Sequence, residues 1–422
     1  MRTESGRQRG RPLFAGLLLL LFAHLAFAQE PAATDEPGSE LQISLLTFGP
    51  GEVYWERFGH NAIAIRDRRS GEAVSYNYGI FDFEEESFFL NFLRGYMRYT
   101  IEATRLEQDL AYYRDEGRAV LEQELQLTPA QRLQLRDFLR WNLHPDNAKY
   151  RYEYFTANCS TKVRDALDEA LGGAIKRGTE GRSSGYTYRM DSLRLMAANP
   201  LLMLGIDLGL GPYADRRIDY WEESFVPAVF SRALNEVRVT GSDGASEPLV
   251  AGETVIAQGT IEEPPALPPD LRWPFVILGV VVALAVRALA RSRSRAARVP
   301  VAVFGVVFEL FCGLGGLVLL FLWFGTAHQS AWRNENLLLL NPLCLLLIPA
   351  MATLTRAVPR AARIGSRIAW IVAVLAAFAL FSKILPWFAQ ANLHWIVLFL
   401  PIHVAIALAV SRERTGSAAR LA

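Results

Sequence analysis

Tyr154-Phe155-Thr156-Ala157-Asn158-Cys159-Ser160-Thr161 runs directly into Lys162-Val163-Arg164-Asp165-Ala166-Leu167-Asp168-Glu169-Ala170-Leu171. Val163, Ala166, Leu167 and Ala170 recur at helical spacing, so a helix begins at or just after Cys159 and the thiol stands at its N-terminus. Unsatisfied backbone N–H groups and the positive end of the helix dipole there favour thiolate, and the same N–H groups suit the oxyanion of a tetrahedral intermediate. The competing reading is an inert cysteine packed as a small hydrophobe, and the polar neighbours Asn158, Ser160 and Thr161 argue against an apolar pocket. Asn158, next to the thiol, is a candidate substrate contact.

A thiol nucleophile needs a base. Outside the apolar C-terminal half and the N-terminal apolar run, the only histidines are His60 and His144. His60 opens the strand-like stretch His60-Asn61-Ala62-Ile63-Ala64-Ile65 after Gly59, a rigid position well placed to meet a helix N-terminus. His144, before Pro145, sits at a helix exit and reads as exposed. Asn77, in Ser75-Tyr76-Asn77-Tyr78-Gly79, suits the third position, because an amide oxygen fixes the imidazole tautomer. It reads equally as an ordinary half-exposed strand residue.

Around these residues, alternation and β-branched enrichment place strands near 41–48, 60–66, 72–78, 96–103 and 117–126, and helical spacing places helices near 84–93, 105–115, 128–142 and 160–171. Thr128-Pro129 has the N-cap and first-turn signature for the third of these helices. The segment is α+β and long enough for a substantial core.

The ends of the chain read differently. Arg2, Arg7, Arg9 and Arg11 precede an apolar run from Leu13 to Phe27 that closes on Ala26-Phe27-Ala28, the pattern of a secretory signal over 1–28, with an uncleaved anchor as the alternative. An exported domain then covers 29–260, a Pro-rich linker 261–272, a five-span membrane domain 273–411 and a cytoplasmic tail 412–422. The spans lie near 274–290, 301–324, 337–354, 369–387 and 394–410. With the first domain exported, Arg291, Arg293, Arg295, Arg298, Arg356, Arg360, Arg363, Arg367, Arg412, Arg414 and Arg420 all fall inside, and the outward loops carry only Arg333. The expected topology is therefore an exported domain, five helices and a C-terminus inside.

Cys159 is thus the only one of three cysteines outside a span; Cys312 and Cys344 read as small packing residues. A lone thiol in an oxidising compartment lacks a disulfide partner, which favours chemistry over crosslinking. The outward loop Thr326-Ala327-His328-Gln329-Ser330-Ala331-Trp332-Arg333-Asn334-Glu335-Asn336 is polar, and His328, Asn334 and Asn336 are candidates to orient a headgroup or peptide. The plainer reading is an interfacial loop with Trp332 as an anchor. His394 reads as interfacial, His403 as facing the bundle, and Glu309 is an intramembrane carboxylate and by default a functional candidate. Near-zero net charge, +1 overall, gives no argument for nucleic acid. His60 and Cys159 lack companion metal ligands at useful spacing, and no phosphate loop or dinucleotide fingerprint occurs, so no metal or cofactor is expected.

GHNAIAI at 59–65 with NCSTKV at 158–163 looks like the permuted NlpC-type papain-like fold, in which the His strand precedes the Cys helix, and lecithin retinol acyltransferase relatives show a similar pair. With YNYGIF at 76–81, FLRG at 92–95, YYRDEGR at 112–118, YRYEYFTANCST at 150–161 and VRDAL at 163–167, the segment 41–235 resembles the exported domain of the Lnb family. That resemblance implies transfer of an ester-linked chain of a diacylglyceryl lipoprotein to the amino group of its N-terminal cysteine, with Cys159 forming the thioester and His60 moving the proton. Three classes stay open at this point: a membrane-bound cysteine transacylase or lipid-ester hydrolase with a lipid or lipoprotein partner, an envelope cysteine peptidase or amidase with a membrane anchor, and a non-catalytic binding or transport component. Five spans favour the first, since a soluble peptide substrate requires one anchor at most. None of these signals encodes an oligomeric state.

Overall fold

The computed structural model describes residues 36–241, 244–356 and 359–418; the expected signal segment lies outside them, as do the last four residues of the expected tail. An α+β domain is followed by five apolar segments of membrane-spanning length. The sheet strands are β1 (Leu41–Phe48), β2 (His60–Asp67), β3 (Ala73–Ile80), β4 (Arg98–Arg105), β5 (Val120–Leu125) and β6 (Lys149–Arg151). A separate hairpin, β7 (Arg238–Thr240) and β8 (Ser246–Pro248), precedes β9 (Val250–Ala257), which returns to the main sheet. The seven-stranded sheet runs β6-β4-β3-β2-β1-β5-β9, antiparallel throughout. Apolar residues on both faces of β1 fit its central place: Leu41, Ile43 and Leu45 point into one core, and Leu46 and Phe48 into another.

Helices α1 (Phe88–Arg94), α2 (Leu106–Asp115) and α3 (Pro129–Asn142) follow the expected spacing, and α3 starts with a full capping box from Thr128 and Gln131. Helix α4 (Cys159–Ala170) buries Val163, Ala166, Leu167 and Ala170 in the same core as Ile63, Tyr76 and Tyr78. Beyond it, α5 (Tyr188–Leu195), α6 (Pro200–Gly209) and α7 (Pro227–Leu234) carry the chain to the hairpin.

The bundle contains α8 (Arg272–Ala290), α9 (Arg295–Phe324), α10 (Pro359–Phe381) and α11 (Leu393–Ala418). The third span, Gln329–Leu354, is apolar enough to cross but is built of short 3₁₀ and α turns. Asn341-Pro342 and Pro349 explain the break, since a proline ring removes an N–H donor and clashes with the preceding turn. Such irregular backbone is stable at membrane depth only inside protein, and Leu339, Leu340, Cys344 and Leu347 are buried in the bundle core.

The two parts are tightly docked. Leu204 and Leu208 of α6 pack on the bundle core. Asp207 accepts hydrogen bonds from Trp395 at 2.8 Å and Arg189 at 2.7 Å and also pairs with His394, while Arg189 bridges to Asp215. Burial alone raises the Asp207 carboxyl, but the His394 hydrogen bond and the Arg189 charge outweigh it and hold the group below the ordinary carboxylate value.

Candidate active site

Cys159 is the first residue of α4, half-buried and free of any disulfide. Asn158 caps the helix: its side-chain oxygen accepts from the Thr161 N–H at 2.9 Å, and its amide donates to the carbonyls of Phe225 at 2.8 Å and Tyr154 at 3.2 Å. Both ends of that side chain are therefore engaged in holding the Cys159 turn. This places Asn158 in the framework, in contrast to the substrate contact expected from its position.

The backbone N–H groups of Asn61, Ser160 and Cys159 itself point at the thiol. Ser160 Oγ lies 2.7 Å from Asn61 Oδ1 and 2.6 Å from the Ser224 carbonyl oxygen, and Asn61 Nδ2 donates to Thr47 Oγ1 at 2.8 Å. The start of α4 is thereby laced to β2 at the residue that follows His60. Gly79 in β3 completes the seat: with φ +91°, it lets the chain pass so close that a Cβ there would stand 3.1 Å from Cys159 Cβ.

His60 stands at the start of β2, with Phe48 and Tyr113 rings stacked around it at centroid distances of 5.9 and 6.1 Å. Its Nε2 is 2.9 Å from Asn77 Oδ1. Asn77 Nδ2 donates to Asp109 Oδ2 at 2.7 Å, and a carboxylate only accepts, so the amide is oriented with its oxygen toward the imidazole. His60 must then carry its proton on Nε2, which leaves the lone pair on Nδ1. Asn77 is buried at the β3 position paired with Ala62, which brings its side chain to the imidazole. His144 is exposed and bonded only to its own turn, and plays no part in the site.

The electrostatics depart from the thiolate expected at a helix N-terminus. Burial pushes the Cys159 thiol up to about 11, against the pull of the three backbone N–H groups and the Arg118 guanidinium. Burial also brings His60 down to about 4, with the Asn77 hydrogen bond acting in the opposite direction. The resting pair is a neutral thiol and a neutral imidazole.

Four residues that matter here carried little signal in the sequence. Asn61 supplies an N–H to sulfur, Asp109 orients Asn77, and Tyr113 and Arg118 wall the histidine; the last two lie in YYRDEGR, a motif with no chemistry legible from its spacing.

A relay of rings leads away from the thiol. Tyr150 and Tyr152 lie near Cys159, Tyr152 stacks on Tyr99 at 4.2 Å, and Tyr99 meets Phe81 at 5.1 Å. Phe81 borders an open groove of about 490 Å³ lined by Ile80 to Glu84, Thr100 and Glu102. Phe83 and Phe88 then connect it to α1, whose Phe89 and Leu93 are 72% and 52% exposed. The end of α1 rests on the bundle, where the Ala327 N–H donates to the Arg94 carbonyl at 2.8 Å.

The polar loop of the bundle meets this site differently from expectation. His328 stacks on Tyr154 at 5.9 Å and its Nε2 lies 3.0 Å from the Phe92 carbonyl oxygen. Asn334 and Asn336 are buried, donating to the carbonyls of Leu208 at 2.8 and 3.1 Å, and Asn334 also reaches Gly209 and Leu210. They clamp α6 to the bundle. Trp332 donates to Thr326 within the loop at 3.1 Å.

The model of the Lnb N-terminal periplasmic domain matches residues 29–199, and that of the Lnb transmembrane domain matches residues 269–415. No curated protein matches the chain, and no solved structure does.

Proposed function

The chain belongs to the Lnb family, and from that premise we propose that it is a membrane-bound, cysteine-dependent acyltransferase or lipid-ester hydrolase, acting on lipoprotein or another envelope lipid. Its α+β domain lies on the periplasmic side of the bacterial inner membrane on this reading. The arginines at 291–298, 356–367 and 412 follow spans that lead away from the domain, the orientation favoured by the positive-inside rule.

The observation that carries the proposal is the aromatic relay from Cys159 to α1, whose C-terminal end meets the bundle through the Arg94 carbonyl and through Phe92 beside His328. An acyl chain drawn from the bilayer needs apolar surface to lie on, and these rings are the candidates to provide it. In the proposed cycle, His60 Nδ1 takes the thiol proton as sulfur attacks an ester carbonyl. The oxyanion is received by N–H groups at the start of α4 and at Asn61. Collapse forms the thioester and breaks the ester C–O bond, and His60 returns the proton to the departing alcohol. An amine or water then attacks the thioester, gives its proton to His60, and sulfur leaves to be reprotonated. Asp82, Glu84 and Glu102 in the groove suit the binding of a cationic amino terminus, which releases one proton to solvent before the neutral amine attacks.

The test is mass spectrometry of lipoprotein N-termini from cells with and without the chain. Transfer predicts that an ester-linked chain moves to the terminal amine only when the protein is present, and hydrolysis predicts its loss. Identical N-termini in both strains would reject a lipoprotein substrate.

A further inference from the structure

Three potential metal ligands meet in the core of the bundle, far from Cys159 along the chain: Glu309 midway along α9, Cys344 in the broken third span and His403 in α11, with their ligand atoms all within 4.8 Å of one another. Glu309 is fully buried, and neither of its oxygens has a hydrogen-bond partner. A carboxyl group left so in an apolar interior is costly, because nothing replaces the water it has lost. His403 is buried as well. Its Nε2 is 3.0 Å from the Leu339 carbonyl oxygen, which can only accept, so the hydrogen sits on Nε2 and Nδ1 is a bare lone pair; Nδ1 likewise has no partner.

We propose that Glu309, Cys344 and His403 form an intramembrane site for a divalent transition-metal ion of the zinc type. One carboxylate, one thiolate and one imidazole are the mixed ligand set such ions take, and a histidine that gives its other N–H to a backbone carbonyl has the orientation of a ligating imidazole. The break in the third span contributes directly. Gly316 of α9 lets that span's backbone approach, since a Cβ there would meet the Leu340 carbonyl oxygen at 2.4 Å, and the turn from Pro342 then carries Cys344 toward Glu309. The Cys312 thiol lies beside that of Cys344 and outside the set of three ligands. On binding, the dication displaces one proton from the Glu309 carboxyl and one from the Cys344 thiol, so the site is neutral before and after and carries no net charge into the bilayer. The ion ties three spans together and gives a partner to the Glu309 carboxylate and to His403 Nδ1 at once. Nothing in this depends on the chemistry of Cys159.

The test uses the full-length chain in detergent, in a Cys159→Ala background so that sulfur signals report the bundle alone. After loading with Zn²⁺ and desalting, elemental analysis should find about one zinc per chain, and removal by a chelator should lower the melting temperature by several degrees. Loading with Co²⁺ should produce a thiolate-to-cobalt charge-transfer band that Cys344→Ser abolishes, and Glu309→Gln should weaken metal retention by at least about tenfold. The chelator experiment needs no substitution in the cluster and so stands even where a variant fails to fold. Substoichiometric zinc in the loaded chain, a melt indifferent to zinc, or a cobalt band that persists in Cys344→Ser would each overturn the proposal.

Discussion

At the residue scale, burial decides the protonation of the candidate dyad. A helix N-terminus lowers a thiol pKa through the N–H groups it aims at sulfur, and three such groups are present at Cys159. The surrounding Tyr113, Tyr150 and Tyr152 rings remove water and outweigh them. Alkylation of Cys159 should therefore climb about tenfold per pH unit from neutrality upward and level only near pH 11, with no plateau from a thiolate–imidazolium pair in mild acid. A flat rate between pH 5 and 8, which are probe conditions, would show a preformed ion pair. His60 has the opposite linkage: its folded value, about 4, lies below the ordinary 6.5, so the unfolded chain binds the extra proton between them. This contribution to stability should fall as pH drops through that window, and His60→Ala should remove it, leaving the opposite contribution of Asp191, raised by burial to about 7, while lowering activity by roughly 10² to 10⁴-fold. Cys159, His60 and Asn77 stand out in the sequence as candidates because each sits at a legible place: a helix start, a strand start and the neighbouring strand. The sequence concealed Asp109 and Asn61, whose contacts depend on side chains from other elements. It also concealed the desolvation, because the tyrosines responsible arrive from α2 and from β6 and the turn after it.

At the element scale, the seat of α4 depends on Asn158 and Gly79. Asn158→Ala removes a cap worth about 0.5–2 kcal/mol and leaves the Phe225 carbonyl without its donor, so a loss toward the upper end of that range is expected by thermal denaturation. Gly79→Ala forces a Cβ against Cys159 at a positive φ, at a cost of about 1–3 kcal/mol, and should depress activity further than Asn158→Ala because it moves the thiol itself. Equal activity losses in the two variants, matched to their melting temperatures, would mean that stability alone is at issue. The central strands and the capped helix α3 were legible from alternation and from Thr128-Pro129. Strands β6 and β9 were not: the first has only Lys149, Tyr150 and Arg151, and the second is a largely exposed edge whose pattern lacks an apolar face. The third span kept its hydropathy but not its helix, because mean hydropathy is blind to Pro342 and Pro349.

At the scale of the whole molecule, the α+β domain and the bundle share a buried polar interface built on Arg189, Asp207, Asp215 and Asn334. This assigns the polar loop a docking role that sequence could not distinguish from substrate binding, since its partners on α6 lie more than a hundred residues away in the chain. Asp207→Asn leaves Arg189 buried with Asp215 as its single charged partner, and removing one member of a buried pair typically costs about 3–5 kcal/mol. The intact chain should melt earlier and become sensitive to proteolysis between its two parts, whereas unchanged melting would show that the interface contributes little. On the proposed function, the same docking sets the ring relay between the bundle and the thiol. The most direct measurement of the central claim is intact mass of the full-length chain after incubation in vesicles with a diacylated lipopeptide. The account predicts a gain of one acyl chain on Cys159, released by hydroxylamine and absent in Cys159→Ala and His60→Ala. A chain that never gains an acyl group, yet cleaves soluble envelope peptides in a Cys159-dependent manner, would contradict it.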